Sequence, residues 1–87
     1  MRDDLQNIFL KRVGNKVRGF RKDKNFTMEN LAFETDIEYR QIGRIERGEI
    51  NTTLLSMMRI SIALNVELNL FFILWYTLYA ILFLGLL

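Results

Sequence analysis

The chain contains no cysteine, no histidine and no proline. Without cysteine it has no disulfide and no thiolate nucleophile, and without histidine it lacks the commonest general base and the usual imidazole ligands of zinc. Its glycines form no Gly-rich loop of the kind that holds phosphate groups. These absences argue against an enzyme and against a bound metal or other cofactor, and they are compatible with a reducing cytoplasm.

Charge is distributed unevenly along the sequence. The formal net charge is only +2, and no Asp, Glu, Lys or Arg follows Glu67. Between positions 11 and 24, seven basic residues accompany the single acid Asp23: Lys11, Arg12, Lys16, Arg18, Arg21, Lys22 and Lys24. Such a block suits binding to a polyanion, although a solvated basic helix face explains it equally well.

The first 25 residues predict one amphipathic helix. Its apolar residues recur at spacings of three and four, which puts them on one face: Leu5, Phe9, Val13, Val17 and Phe20. Gly14 and Gly19 lower the stability of a helix, so we expect both to allow close packing against a neighbouring helix. The helix should end near residues 23–25, where Asn25 can adopt a left-handed conformation.

Residues 26–48, FTMENLAFETDIEYRQIGRIERG, predict a short helix, a tight turn and a second helix. Thr27 can cap the first helix by accepting a backbone N–H bond. Asp36 suits the turn because aspartate tolerates positive φ, and Ile37 supplies an apolar plug. Gly48 is expected to stop the second helix.

The second of these helices should turn Ile42 and Ile45 inward. That leaves five residues outside: Tyr39, Arg40, Gly43, Arg44 and Arg47. Two short helices crossing through such a turn indicate a helix-turn-helix, a motif that places its second helix in the major groove of DNA.

After a short loop over residues 49–51, Thr52 or Thr53 should cap a fourth helix that runs to about Leu64 and is ended by Asn65. Its predicted buried stripe is Leu54, Met57, Ile60, Ser61 and Leu64. A fifth helix is expected from residues 66–72. No segment alternates with a period of two, so the fold class is all-α.

The tail, residues 70–87, is eighteen residues long and contains no charge. As a helix it would span roughly 27 Å, close to the thickness of the hydrocarbon core of a bilayer. Three interpretations remain open: a buried fifth helix with a dimer interface, a membrane anchor, or an atypical ending of the domain. We therefore expect a DNA-binding domain over residues 1–69 and an apolar helical extension over residues 70–87.

The stretch from about residue 13 to residue 72, two-thirds of the chain, resembles the lambda-repressor-like (Xre/Cro-type) helix-turn-helix domains. Spacing, turn position and core residues agree in four segments: VGNKVRGFR, TMENLA, RQIGRIERGEIN and LLSMMRISIALNVELNLF. The resemblance implies five short helices, binding to double-stranded DNA and pairing as a homodimer.

The resemblance also implies site residues. Those facing DNA bases would be Tyr39, Arg40, Arg44 and Gln41. Those contacting DNA phosphates would be Thr27, Met28, Arg47 and Asn51. Arg21 and Glu46 look like the family's structural ion pair. Met28 stands where the family often has a phosphate-binding Gln, Asp36 where Gly is common, and Glu38 where Ser or Thr usually caps the recognition helix.

The sequence therefore predicts a sequence-specific transcription regulator, a repressor that acts as a homodimer in the cytoplasm. An alternative is a protein-interaction or antitoxin-like module of the same fold, tethered by its tail to the inner face of the cytoplasmic membrane. Salt-sensitive binding to duplex DNA would discriminate between the two.

Overall fold

The structure is a computed structural model that describes residues 3–72 together with Ile81 and Gly85. Four α-helices follow one another in this part of the chain: α1 (Asp3–Asp23), α2 (Met28–Thr35), α3 (Tyr39–Glu46) and α4 (Leu54–Leu64). A short 3₁₀ turn (Leu68–Phe71) comes after α4. The described residues contain no strand, so the all-α prediction is confirmed.

The predicted fifth α-helix is not confirmed. Within the described residues its place is taken by the four-residue 3₁₀ turn. Most of the apolar extension predicted over residues 70–87 lies outside the described residues, so its helical state and its three interpretations stay predictions. In the part of the chain that the structure describes, no helix has the length and apolar character needed to cross a membrane.

Local chemistry sets the helix ends as predicted. Thr27 caps α2 in a reciprocal box, in which its hydroxyl accepts from the Asn30 N–H at 3.0 Å and the Asn30 side chain accepts from the Thr27 N–H. Thr53 caps α4 through the Ser56 N–H. The four residues expected to end helices all have positive φ, namely Asn25 at 60°, Asp36 at 57°, Gly48 at 69° and Asn65 at 56°.

The core lies where the four helices and the 3₁₀ turn meet. It consists of Val13, Val17, Leu31, Ile37, Ile42, Ile45, Met57, Ile60, Leu64 and Phe71. These residues include the inward positions predicted for α3. Because Phe71 is buried against Phe20, with ring centroids 5.6 Å apart, the core continues past residue 69. Phe72 extends the same packing by stacking on Phe9.

Two predictions about packing, one in α4 and one in α1, were wrong. Leu54, placed in the buried stripe of α4, is 76% exposed, because the core meets α4 on the face that carries Met57, Ile60 and Leu64. Gly19 was expected at a close helix contact, but apart from its chain neighbours and the backbone of its own helix, no atom of the described residues lies within 4 Å of a Cβ placed on it.

The expectation for Gly14 was right. A Cβ on this residue would overlap the carbonyl oxygens of Ile45 and Glu46 at the end of α3. Glycine is therefore required here because α1 crosses directly over the backbone of α3, which fixes how α3 sits on the rest of the fold.

Candidate nucleic-acid interface

The turn that joins α2 to α3 is held by the side chain of Thr35. Its hydroxyl donates to the Leu31 carbonyl at 2.7 Å and accepts from the Ile37 N–H at 3.3 Å. Ile37 is buried in the core, while Asp36 makes the left-handed residue of the turn. The angle between α2 and α3 is thus fixed from the inside.

The outer face of α3 carries the candidate base-reading residues. Ile42 and Ile45 are buried beneath it, whereas Tyr39 and Arg40 are exposed and Gln41 and Arg44 are half-buried. Arg40 and Arg44 are four residues apart and therefore neighbours on one face of the helix. The helix thus presents two guanidinium groups and one phenol away from the core.

Gly43 was predicted to lie outside, and this was wrong: it is buried. A Cβ on Gly43 would lie 3.0 Å from Arg47 Nη1 and 3.1 Å from Met28 Cε. Side chains from the first turn of α2 and from beyond the end of α3 therefore meet over this residue and cover it. The structure in this way brings together two of the residues predicted to contact phosphate.

Met28 itself takes part in packing. Its half-buried side chain lies against the core and over Gly43. A thioether has no N–H to donate, so any hydrogen bond from this position to a phosphate comes from the backbone. The first N–H groups of a helix have no backbone acceptor within the helix, and Met28 is the first residue of α2. The N–H of Thr27, the preceding residue, is bonded to the Asn30 side chain.

Arg47 is held by Glu49. Arg47 Nε donates to Glu49 Oε2 at 2.6 Å and Nη2 donates to Oε1 at 3.3 Å. This hydrogen bonding raises the pKa of the Arg47 guanidinium and lowers the pKa of the Glu49 carboxyl. Both side chains are exposed, as is Asn51 in the loop that follows.

Arg21 and Glu46 form the buried ion pair between α1 and α3, with exposures of 7% and 4%. Arg21 Nε donates to Glu46 Oε2 at 2.6 Å and Nη2 donates to Oε1 at 2.9 Å. Arg21 Nη1 also donates to the Phe26 carbonyl at 2.9 Å, just before α2. The bond to Glu46 raises the pKa of Arg21. One guanidinium thus connects α1, α3 and the entrance to α2.

Two contacts between charged residues were not predicted from the sequence. Arg18 lies 3.7 Å from Glu46 and adds a second cation to the buried carboxylate; it precedes Arg21 by three residues, a spacing that could have indicated a shared face. Glu49 follows Arg47 by two residues within a loop, where spacing predicts no contact. At the start of α3, the Glu38 side chain makes no capping hydrogen bond within the described part of the chain.

Comparison with known proteins agrees with this geometry. The model of the helix-turn-helix family HTH_3 matches residues 17–71. Control protein C.BamHI from Bacillus amyloliquefaciens is 46% identical over 55 residues, which cover 62% of this chain and 68% of that protein. Control protein C.MunI from Mycoplasma sp. is 32% identical over 59 residues, 67% of this chain and 80% of that protein.

Solved structures show the same fold. The restriction-modification controller protein C.AhdI from Aeromonas hydrophila superposes with a TM-score of 0.70 at 29% identity, covering 71% of this chain and 94% of that one. An HTH_3 family transcriptional regulator from Vibrio cholerae gives a TM-score of 0.75 at 25% identity, covering 84% of this chain and 41% of the other.

Proposed function

Because this chain belongs to the helix-turn-helix family HTH_3 of DNA-binding transcription regulators, we propose that it binds double-stranded DNA sequence-specifically, with α3 in the major groove. The observation that carries the proposal is the outer face of α3. This face carries two guanidinium groups and a phenol, and it lies beside the first turn of α2. The connection between α2 and α3 is held by the hydroxyl of Thr35, which fixes the position of α3. A helix presented in this way matches the width of the major groove.

Base reading falls to four side chains. Arg40 and Arg44 can each donate two hydrogen bonds to O6 and N7 of guanine. Gln41 can pair in a similar way with N6 and N7 of adenine. Tyr39, at the start of α3, is placed to contact a thymine methyl group or a phosphate.

Phosphate contacts come from the edge of the same surface. The backbone N–H of Met28, at the start of α2, attracts an anion through the positive end of the helix. The Thr27 N–H already donates to Asn30, but the Thr27 hydroxyl still has a proton to donate to a phosphate. Arg47 reaches over Gly43 towards this same turn. Asn51, in the exposed loop after α3, supplies one further donor. Such contacts orient the protein on the duplex without reading its sequence.

We place the homodimer contact on α4. Four large apolar side chains project from one side of this helix into solvent: Leu54, Leu55, Met58 and Ile62. Leu54 is 76% and Ile62 69% exposed, and contiguous exposed apolar surface of this kind marks an interaction site. A twofold pair would present two copies of α3 to two half-sites.

The names of the relatives indicate which genes this chain would regulate. Two of them are named control proteins and one solved neighbour is a restriction-modification controller. We infer that this chain regulates transcription of restriction-modification genes, in the cytoplasm. Repression is the expected effect where its site overlaps a promoter, because a bound dimer blocks access of the polymerase.

Enrichment of random duplexes on the purified protein tests the proposal. We expect convergence on one motif made of two half-sites related by twofold symmetry. Affinity for that motif should fall steeply with salt, since the slope reports the number of phosphates neutralised. Failure to enrich any motif, or binding that ignores salt, would refute sequence-specific DNA binding.

A further inference from the structure

The ion pair between Arg47 and Glu49 stands at the edge of the proposed DNA-contacting surface. Arg47 directly follows the last residue of α3, and its Nε and Nη2 atoms engage the two carboxylate oxygens of Glu49 at 2.6 and 3.3 Å. A guanidinium holds a phosphate through the same pair of parallel hydrogen bonds. Glu49 therefore occupies the donors that a phosphate would use.

The guanidinium is also fixed on its other side. Its Nη1 atom lies 3.0 Å from the position of a Cβ on Gly43, so it rests against the surface of α3 where that residue has no side chain. Met28 Cε borders the same position at 3.1 Å. Arg47 is thus oriented beside the first turn of α2 before any DNA is present.

We propose that Glu49 is an internal competitor for the phosphate site on Arg47, so that binding to DNA exchanges one carboxylate for one phosphate. This inference rests on the proposed function. The exchange is feasible because the two side chains are 55% and 48% exposed, and exposed ion pairs are weak. It needs no rearrangement of α3.

The competition has a measurable consequence for charge. While it is paired with Glu49, Arg47 adds little net positive charge to the surface and releases few counterions when DNA binds. A glutamate carboxyl is ionised at neutral pH, and the hydrogen bond from Arg47 lowers the pKa of Glu49 further. The salt dependence of DNA binding should therefore be shallower than the number of basic residues at the interface implies.

The test compares the wild type with Glu49→Gln, Arg47→Ala and the double variant, using a labelled random-sequence duplex over a range of salt. Glu49→Gln should steepen the slope of log affinity against log salt by about 0.9, the value of one phosphate. Extrapolated from about 1 M to about 0.15 M salt, that slope corresponds to a gain in affinity of roughly fivefold. With Arg47→Ala already present, Glu49→Gln should change the slope little.

Glu38→Gln is the matched control. It removes the same charge from the start of α3, and its effect should be the same whether or not Arg47 is present. Thermal unfolding of every variant checks that the fold is retained.

Two results would overturn the proposal. The first is a salt slope for Glu49→Gln equal to that of the wild type. The second is a Glu49→Gln substitution that steepens the salt slope equally in the presence of Arg47 and of Arg47→Ala. The second would show that Glu49 acts only as a nearby negative charge. Wild-type protein that binds no duplex at any salt concentration would refute the proposed function itself, and that result is visible before any variant is measured.

Discussion

Replacing Arg21 by methionine should destabilise the fold severely. The substitution leaves the Glu46 carboxylate, 4% exposed, without the two short hydrogen bonds that now compensate its burial. It also deprives the Phe26 carbonyl of its donor. Arg18, at 3.7 Å from Glu46, offers only a longer contact.

Breaking one side of a buried ion pair costs about 3–5 kcal/mol, because the remaining charge is left uncompensated. The total stability of a domain is only about 5–15 kcal/mol, so Arg21→Met should lose a large share of it. Replacing both partners by apolar residues removes the uncompensated charge. We therefore expect the double variant Arg21→Met with Glu46→Met to be more stable than either single variant.

Urea unfolding followed by far-ultraviolet circular dichroism measures these differences. The matched control is Arg59→Met, the same chemical change on an exposed residue of α4, which should alter stability by less than about 0.5 kcal/mol. The reasoning would be refuted if Arg21→Met cost no more than Arg59→Met. It would also be refuted if the double variant were less stable than both Arg21→Met and Glu46→Met.

Four further substitutions test other parts of the structure. Arg44→Ala should weaken binding to the enriched duplex by about 1–3 kcal/mol while leaving the melting temperature unchanged, and unchanged affinity in a filter or fluorescence assay would remove Arg44 from the base-reading set. Gly14→Ala should lower the free energy of unfolding by about 1–3 kcal/mol, because the added Cβ meets the backbone of α3. Gly19→Ala should raise the free energy of unfolding by roughly 1 kcal/mol, and urea unfolding measures both changes. Equal effects of the two substitutions would contradict the packing described for Gly14 and Gly19. Ile62→Asp should convert the proposed dimer to a monomer in sedimentation and reduce DNA binding, whereas a dimer that persists would move the proposed contact away from α4.

Helix boundaries were predictable from the sequence because they depend on neighbouring residues. Asn25, Asp36 and Asn65 each end a helix in a left-handed conformation, as their side-chain chemistry allows. Thr27 and Thr53 each bond the N–H three residues ahead, so their capping role follows from local spacing. The all-α class was predictable for a similar reason, because the period of the apolar residues is a local property of the sequence.

What could not be predicted depends on which neighbour a helix meets. Spacing alone puts Gly43 on the outer side of α3, yet Met28 and Arg47 arrive from outside the helix and bury it. Leu54 belongs to an apolar set on α4, but the rotation of that helix against the core leaves Leu54 in solvent. The pairing of Arg47 with Glu49 depends on the conformation of the loop after α3, which no periodicity describes.

The three hydrogen-bonded contacts of Arg21 have a consequence for the rate and entropy of binding. They connect α1 and α3 to Phe26, two residues before α2. We therefore expect α3 and the start of α2, the two parts of the proposed DNA-contacting surface, to keep the same relative position when DNA binds. A surface that is already arranged loses little conformational entropy on docking, and its backbone should shift by less than about 1 Å. Different DNA sequences would then meet the same rigid surface, and discrimination between them would arise mainly in how quickly each complex dissociates.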